Sequence, residues 1–540
     1  MAASGRDDGG RPGEQTPLLK GFEDRQSHVL PHRRLMVVFP ALALVQFTSF
    51  LDQTAISTTL PAIAADLKTG SSISWISASF LTTSTSIQLI NGRLSDIFGR
   101  RTCLMTALAI MGFGNFLSGL SRTPAQLYAT RAVSGFGAGA LNALVQIAIS
   151  DITTLEQRGY YFGIMGIAVA LGNGLGPLIG GLLTEYTSWR WAFFFISPLT
   201  AAAIVYLLVL PQHSMADNVW QKLCMVDWLG VVMSMAAIFM ILLPISRGGS
   251  AVAWDSPFVI ASLTIGAVLL VSFVFVEWRF AKFPILPMRL FQYSRSTNTL
   301  LGMNILIGWV FWGNLLYIPL YFQNVRGYSP SVAASFILPM VIAHGMTSGL
   351  SGILVSRSGH YMPVIRGGAM LWVIGTAAKC WYHHETPTLM FYIVGILEGI
   401  GVGCSLQPMM VGLLAGSDKA DRGVITGLRN FIRDTGGAMG TIVSGAILNG
   451  ILKNQLQGHW HFSPHIISQL TSSALSLSKM KFSDAEIVLI KDAYMKGLHG
   501  VFLSYVVLAV LLLTASLFVE DYGLAGKTFQ QPSPEGEQAE

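Results

Sequence analysis

Fourteen apolar runs, each about the length needed to cross a bilayer as a helix, are the feature that most restricts this chain. They lie near residues 35–60, 73–92, 102–120, 125–149, 160–183, 190–210, 226–246, 257–277, 300–322, 332–354, 364–382, 388–414, 424–450 and 498–519. Inside hydrocarbon, only helices and closed barrels satisfy their own backbone groups. Barrel strands would be about ten residues of alternating polarity, and these runs are neither short nor alternating. The expected fold class is therefore an all-α polytopic membrane protein with 14 transmembrane helices. Charge supports this: 11% of the 540 residues are charged, against about 25% in a soluble domain.

The basic residues sit in short loops between the runs, so the net charge of +6 reads as topology rather than a nucleic-acid surface. Arg93, Arg100, Arg101, Arg279, Lys282 and Arg289 fall on the side of the N-terminus, with more in the tail. Lys68, Arg122, Arg190, Arg247, Arg326 and Lys379 are the sparser set in the short loops opposite. Both termini are thus expected in the cytosol. The first 30 or so residues are polar and do not read as a cleavable signal peptide. Cys103, Cys224, Cys380 and Cys404 show no CxxC spacing, so neither a metal site nor a disulfide framework is expected.

Four motifs follow in order. The first span holds Leu51-Asp52-Gln53-Thr54-Ala55-Ile56-Ser57-Thr58-Thr59-Leu60-Pro61. The loop after the second span reads Gly92-Arg93-Leu94-Ser95-Asp96-Ile97-Phe98-Gly99-Arg100-Arg101, with a degraded echo at 352–360 where Ser356 takes the aspartate's place. The fourth span holds Arg131-Ala132-Val133-Ser134-Gly135-Phe136-Gly137-Ala138-Gly139. In the fifth, Gly172, Gly176 and Gly180 recur every four residues beside Pro177 and Gly181, a smooth stripe for close helix contact.

Together these strings resemble the major facilitator superfamily, and within it the fourteen-span drug:proton antiporter branch. Ser74-Trp75-Ile76 and the Gly92–Asp96 string also look like the fungal vacuolar amino-acid transporters. The resemblance implies two six-helix bundles, at 35–210 and 300–519, that rock about a midplane site. It places two extra helices and a cytosolic linker at 211–299, between tails at 1–34 and 520–540. The loop 451–497, with His459, His461 and His465, is the only long one opposite the termini. Gly92, Asp96, Gly99, Arg100 and Arg101 would form the conformational motif, and the 172–181 glycines with Pro177 the antiporter motif.

Charge inside the membrane is costly, which concentrates function at the few residues that carry it. Asp52 and Arg131 match positions that the resemblance links to proton coupling; a static ion pair locking two helices is the other reading. Glu398 lies among glycines of the twelfth span, facing either a cavity, where it and Asp52 would suit a cationic solute, or a neighbouring helix. Arg429, Arg433 and Asp434 open the thirteenth span, where they face either cytosol or cavity, and read mostly as a cytosolic gate or anchor. His344 reads as a packed histidine, with a relay as the other reading. Trp309, Trp312, Tyr317 and Tyr321 run along the ninth span, where they either stack on substrate or pack.

Glu14-Gln15-Thr16-Pro17-Leu18-Leu19 matches an E-x-x-x-L-L sorting address for a vacuole-like organelle, read by a sorting adaptor. The expected function is a proton-coupled antiporter moving small cationic solutes, basic amino acids first, from cytosol into an acidic vacuole. The rivals are a plasma-membrane multidrug or toxin exporter and a non-transporting nutrient sensor on the same fold. Neither a P-loop string nor H-E-x-x-H occurs, so neither nucleotide-driven transport nor intramembrane enzymology is indicated, and no cofactor is expected. The partners are then the small solute, protons and the lipid bilayer.

Overall fold

The computed structural model describes residues 32–67, 75–153, 155–208, 227–247, 254–280, 294–417, 422–457 and 483–523, with single residues 69, 252 and 291. The dileucine string, the histidines of the long loop and most of the linker at 278–299 lie outside the described residues. What is described is helical apart from turns and one isolated bridge residue.

The N-terminal half comprises α1 (His32–Leu67), α2 (Trp75–Phe98), α3 (Arg100–Leu120), α4 (Pro124–Ile152), α5 (Leu155–Tyr186), and α6 (Trp189–Phe194) continued by α7 (Ile196–Leu207). Two further helices, α8 (Trp228–Arg247) and α9 (Pro257–Arg279), pack on each other, and α8 leans on α2. The C-terminal half comprises α10 (Arg295–Asn324), α11 (Pro330–Ser335) continued by α12 (Leu338–Ser358), α13 (Met362–Lys379), α14 (Thr388–Ala415), α15 (Arg422–Gln457) and α16 (Asp484–Leu517). Each of the fourteen apolar runs coincides with a helix or a broken helix pair. Eleven of these are long and apolar enough to cross a membrane. The others are α2, α8 and α13; α2 carries a run of Ser and Thr from Ser77 to Ser86.

The halves repeat one packing plan. In the first, α1 packs on α5, α2 on α4 and α3 on α4; in the second, α10 packs on α15, α12 on α14 and α13 on α14. That correspondence pairs α1 with α10, α3 with α13 and α4 with α14. Between halves, α5 packs on α12 and α2 on α15. Missing side chains allow these approaches. A Cβ at Gly172 would stand 2.8 Å from the Phe47 carbonyl oxygen, and one at Gly176 would stand 2.9 Å from that of Leu51. Thr58 crosses the same seam, its hydroxyl donating to the Pro177 carbonyl at 2.9 Å.

Candidate functional site

Three helices of the first half bring a carboxylate, a carboxamide and a guanidinium together. Asp52 sits on α1, Asn115 on α3 and Arg131 on α4. An Arg131 Nη1 hydrogen reaches Asp52 Oδ1 at 2.9 Å, and Asn115 Nδ2 donates to Asp52 Oδ2 at 3.0 Å. Arg131 also donates to Asn115 Oδ1 at 3.3 Å, and the Phe80 ring covers its guanidinium at 4.2 Å. Both ions are nearly inaccessible, at 3% for Asp52 and 1% for Arg131. A neutral pair of this kind tolerates low dielectric; protonating Asp52 leaves a net positive charge there instead. Arg131 borders a cavity of about 140 Å³ that Gln53, Ser57, Phe80, Trp312 and Thr441 also line. These residues lie toward the ends of α1 and α10 that are remote from the N-terminus, so the cavity belongs to that far side.

The second half holds a matching cluster with its roles permuted. Lys379 Nζ meets Glu398 Oε1 at 2.8 Å and also donates to Asn314 Oδ1, while Asn314 Nδ2 approaches Glu398 Oε2 at 3.4 Å. Lys379 therefore does not stand in a loop as its place in the sequence suggested. It ends α13 and turns inward, fully buried. Glu398 is spoken for by this pair, and it does not line the cavity beside Arg131.

Between the halves, Phe50 of α1 and Trp312 of α10 stack with ring centroids 6.4 Å apart and planes 10° apart. Trp312 lines the far-side cavity and also a second, much smaller one on the N-terminal side of the stack. That space, about 20 Å³, is walled by Gln46, Gln146, His344, Gln407, Arg429 and Arg433 together with apolar neighbours. Arg429 is 1% exposed and donates from Nε to Asn304 Oδ1, from Nη1 to Asn430 Oδ1 and from Nη2 to the Leu406 carbonyl, at 3.0, 3.0 and 2.8 Å. No carboxylate lies within ion-pair distance of it among the described residues. Arg433 instead pairs with Asp434 at 3.0 Å, and Gln88 of the first half donates to Asp434 Oδ2 at 2.7 Å. Both ring nitrogens of His344 lack a partner among the described residues.

Toward the N-terminal side the halves are shut. Gly92 on α2 meets Gly423 on α15 so closely that a Cβ at Gly92 would stand 3.1 Å from the Gly423 carbonyl carbon. Asn430 donates across the seam to Gln146 at 3.2 Å. Gly99 turns the chain with φ 86°, a left-handed value that glycine accepts without strain. Arg100 then reaches Asp151 at 2.8 Å and bonds the Ser95 hydroxyl. Asp96 lies within α2, but its side chain is outside the described residues. With one end shut and a cavity at the other, the two-bundle plan has the geometry of one state of an alternating-access cycle.

A family model for the Major Facilitator Superfamily matches residues 42–441. The chain belongs to the major facilitator superfamily. Among curated relatives, citrate exporter 1 of Yarrowia lipolytica is 37% identical over 500 residues, covering 92% of this chain and 74% of that one. The MFS-type transporter clz4 of Cochliobolus lunatus is 33% identical, covering 92% and 87%. Efflux pump dotC of Dothistroma septosporum is 32% identical, covering 79% and 73%. Among solved structures, the human organic anion transporter aligns with TM-score 0.58 at 14% identity, covering 90% of this chain and all of that one. At that identity the likeness speaks for fold alone. The chain is accordingly a multi-pass membrane transporter of small molecules.

The structure thus brings Asp52 and Arg131 together and sets Glu398 apart from them. Trp309 packs against Gly440, and Tyr317 donates its hydroxyl to the Thr441 carbonyl at 2.6 Å, so both serve the α10–α15 seam here. Trp312, between them in sequence, is the ninth-span residue of the four singled out that lines both cavities. Asn115, Lys379 and Asn314 were not singled out as site residues by sequence. A lone amide in an apolar run is a weak signal, and Lys379 lies at a run's edge where loops also begin.

Proposed function

We propose that this protein is a proton-coupled exporter that carries a small organic solute between its two halves by alternating access. The observation that carries this reading is the Asp52–Arg131 pair, buried at the wall of the far-side cavity with Asn115 as third partner. Protons entering that cavity would find the pair within reach, while the solute pocket behind Phe50 and Trp312 is closed to it. Rocking the halves exchanges those exposures. The names of the relatives, a citrate exporter and an efflux pump, support export as the direction. The glycine stripe on α5 supports exchange against protons rather than symport.

The expectation of a cationic cargo rested on Asp52 and Glu398 as free acids of a cavity. Each is paired with a cation of its own half, so neither carboxylate stands free to seat a basic amino acid. Delivery to a vacuole-like membrane, with both termini cytosolic, is our assignment from the Glu14, Leu18, Leu19 string and the basic loops. The plasma membrane is the second reading, favoured by the efflux relatives. Replacing Leu18 and Leu19 by Ala in a fluorescently tagged chain should redirect it from the vacuole if the address is read.

The coupling test uses purified protein in vesicles with an interior pH dye. Substrate addition to wild type should move protons across the membrane, and Asp52→Asn should abolish that flux while substrate exchange continues. Proton flux surviving in Asp52→Asn would overturn the role given to the pair.

A further inference from the structure

The small space between the halves is walled by cations and amides, and that combination specifies a ligand. We propose that Arg429, with His344, Gln46, Gln146 and Gln407, forms the binding site for an organic carboxylate, and that the cargo is a small di- or tricarboxylic acid anion. This rests on the reading above that cargo moves through the cleft between the halves.

Arginine carries five N–H donors in a planar fork. In Arg429 three protein acceptors are engaged, one at each nitrogen. That leaves one hydrogen on each terminal nitrogen, the pair a carboxylate takes in a bidentate contact. The three protein contacts are all to uncharged oxygens, so they hold the guanidinium in place without neutralising it. A buried arginine with no carboxylate in ion-pair distance among the described residues is an expensive arrangement, and an anionic ligand removes the expense. Arg433 is the other cation on the wall, and Asp434 already offsets it. Counting Arg429, Arg433 and Asp434, the site keeps one net positive charge, and none of the residues lining it is acidic.

The neutral members fit the same ligand. His344 is 1% exposed, stands on the wall and has neither ring nitrogen engaged among the described residues; the Phe311 ring lies 5.6 Å away. Gln46 Oε1 is likewise without a partner, while its Nε2 lies 3.4 Å from Asn142 Oδ1. Gln46 and Gln146 come from the first half, and His344, Gln407 and Arg429 from the second. A ligand with several carboxyl groups would therefore bridge the halves, whereas a monocarboxylate would reach only one of them.

At about 20 Å³ the space holds roughly one water. Cargo enters only when the N-terminal side opens. That opening pulls Gln146 from Asn430 and Gln88 from Asp434, which frees amide donors and acceptors on both walls as the ligand arrives. Gln146 thus serves both the closure of the N-terminal side and the cargo site.

Thermal stabilisation and equilibrium binding of the purified full chain, with citrate, succinate, acetate and lysine as probes, test the site. Citrate should bind most tightly, acetate at least about tenfold more weakly, and lysine not at all. Arg429→Gln should weaken citrate binding by about 10- to 100-fold, as loss of a charge-assisted contact does, and Arg429→Lys should keep part of it. If Arg429→Gln fails to fold, His344→Phe and Gln407→Leu should each weaken citrate several-fold. Lysine binding in preference to citrate, or citrate binding that ignores every one of these changes, would overturn the proposal. Failure of coupling is read separately: Asp52→Asn should still bind citrate, so lost proton flux with intact binding touches only the coupling reading.

Discussion

Lys379 and Glu398 meet at 2.8 Å on α13 and α14, with both side chains at 0% exposure. In the other half, the helices at the same places in the plan carry Asn115 and Arg131. Each half therefore sets a carboxylate, a carboxamide and a cation on its first, third and fourth helices, with the roles permuted. Asp52, Asn115 and Arg131 answer to Asn314, Lys379 and Glu398. The first cluster borders the far-side cavity, while the second lines neither that cavity nor the small one between the halves, which casts it as the brace of its bundle.

Removing one partner of a closed, buried pair strands the other charge. Lys379→Met alone, or Glu398→Leu alone, should lower stability by about 3–5 kcal/mol. The double change should recover most of that loss, since two apolar side chains then replace two desolvated ions. Unfolding in detergent by heat, followed through a double-mutant cycle, measures the coupling. Equal damage from the singles and the double would remove the brace interpretation.

The α5 stripe makes a second prediction. At Gly180 an added Cβ would run into the Ala55 carbonyl oxygen on α1. Gly180→Ala should cost about 1–3 kcal/mol, the usual range for an overpacked contact. Gly302→Ala, where nothing lies within 4 Å, should be neutral or slightly stabilising. Melting temperatures of the two variants, compared with wild type, decide whether the stripe acts through α1 contact or through flexibility of α5.

Much of this architecture is legible in sequence because bilayer length and apolar runs leave few alternatives, and because Asp52 and Arg131 stand out as charges in hydrocarbon. Lys379 was misplaced for the converse reason. Long side chains at helix ends often reach outward to water, and sequence does not say that this one turns inward to Glu398. Arg429 was readable as a charge facing cytosol or cavity, and the cytosolic reading preferred from sequence gives way to a place on a cavity wall. Which face of α15 meets the other half depends on the α2–α15 and α10–α15 contacts, and those are set by glycines at 92, 423, 436, 437 and 440 acting together.

Outside the spans, Asp66 accepts hydrogen bonds from Trp189 Nε1 at 3.0 Å and from Arg190 at 2.8 Å, and these hold its carboxyl below the usual carboxylate range. A depressed folded value means that the contact stabilises the fold above the unfolded pKa, near 4, and is lost as pH falls through the folded value. Stability from this contact should hence be flat between about pH 5 and 8. Asp66→Asn should cost less than about 1 kcal/mol there, since the pair is partly solvated, and its deficit should shrink as pH falls through the depressed folded value. Melting curves of both proteins across that range give the answer.

The last prediction concerns Phe50 and Trp312, whose stacked rings stand between the small pocket and the far-side cavity. One ring comes from each half, so the stack parts when the halves do, and its integrity keeps solute and proton sites from opening to the same side at once. In a chain with its four cysteines replaced, Ser57→Cys should react with a membrane-impermeant thiol reagent applied from the far side, and Gln46→Cys should not. Adding Trp312→Ala, or Phe50→Ala if the first misfolds, should make Gln46→Cys reactive from that side at least about tenfold faster. The same change should turn coupled transport into leak, with substrate running down its gradient without proton movement. Protection of Gln46→Cys that survives loss of both rings would place the barrier elsewhere, because no other aromatic pair spans the halves between these two cavities among the described residues.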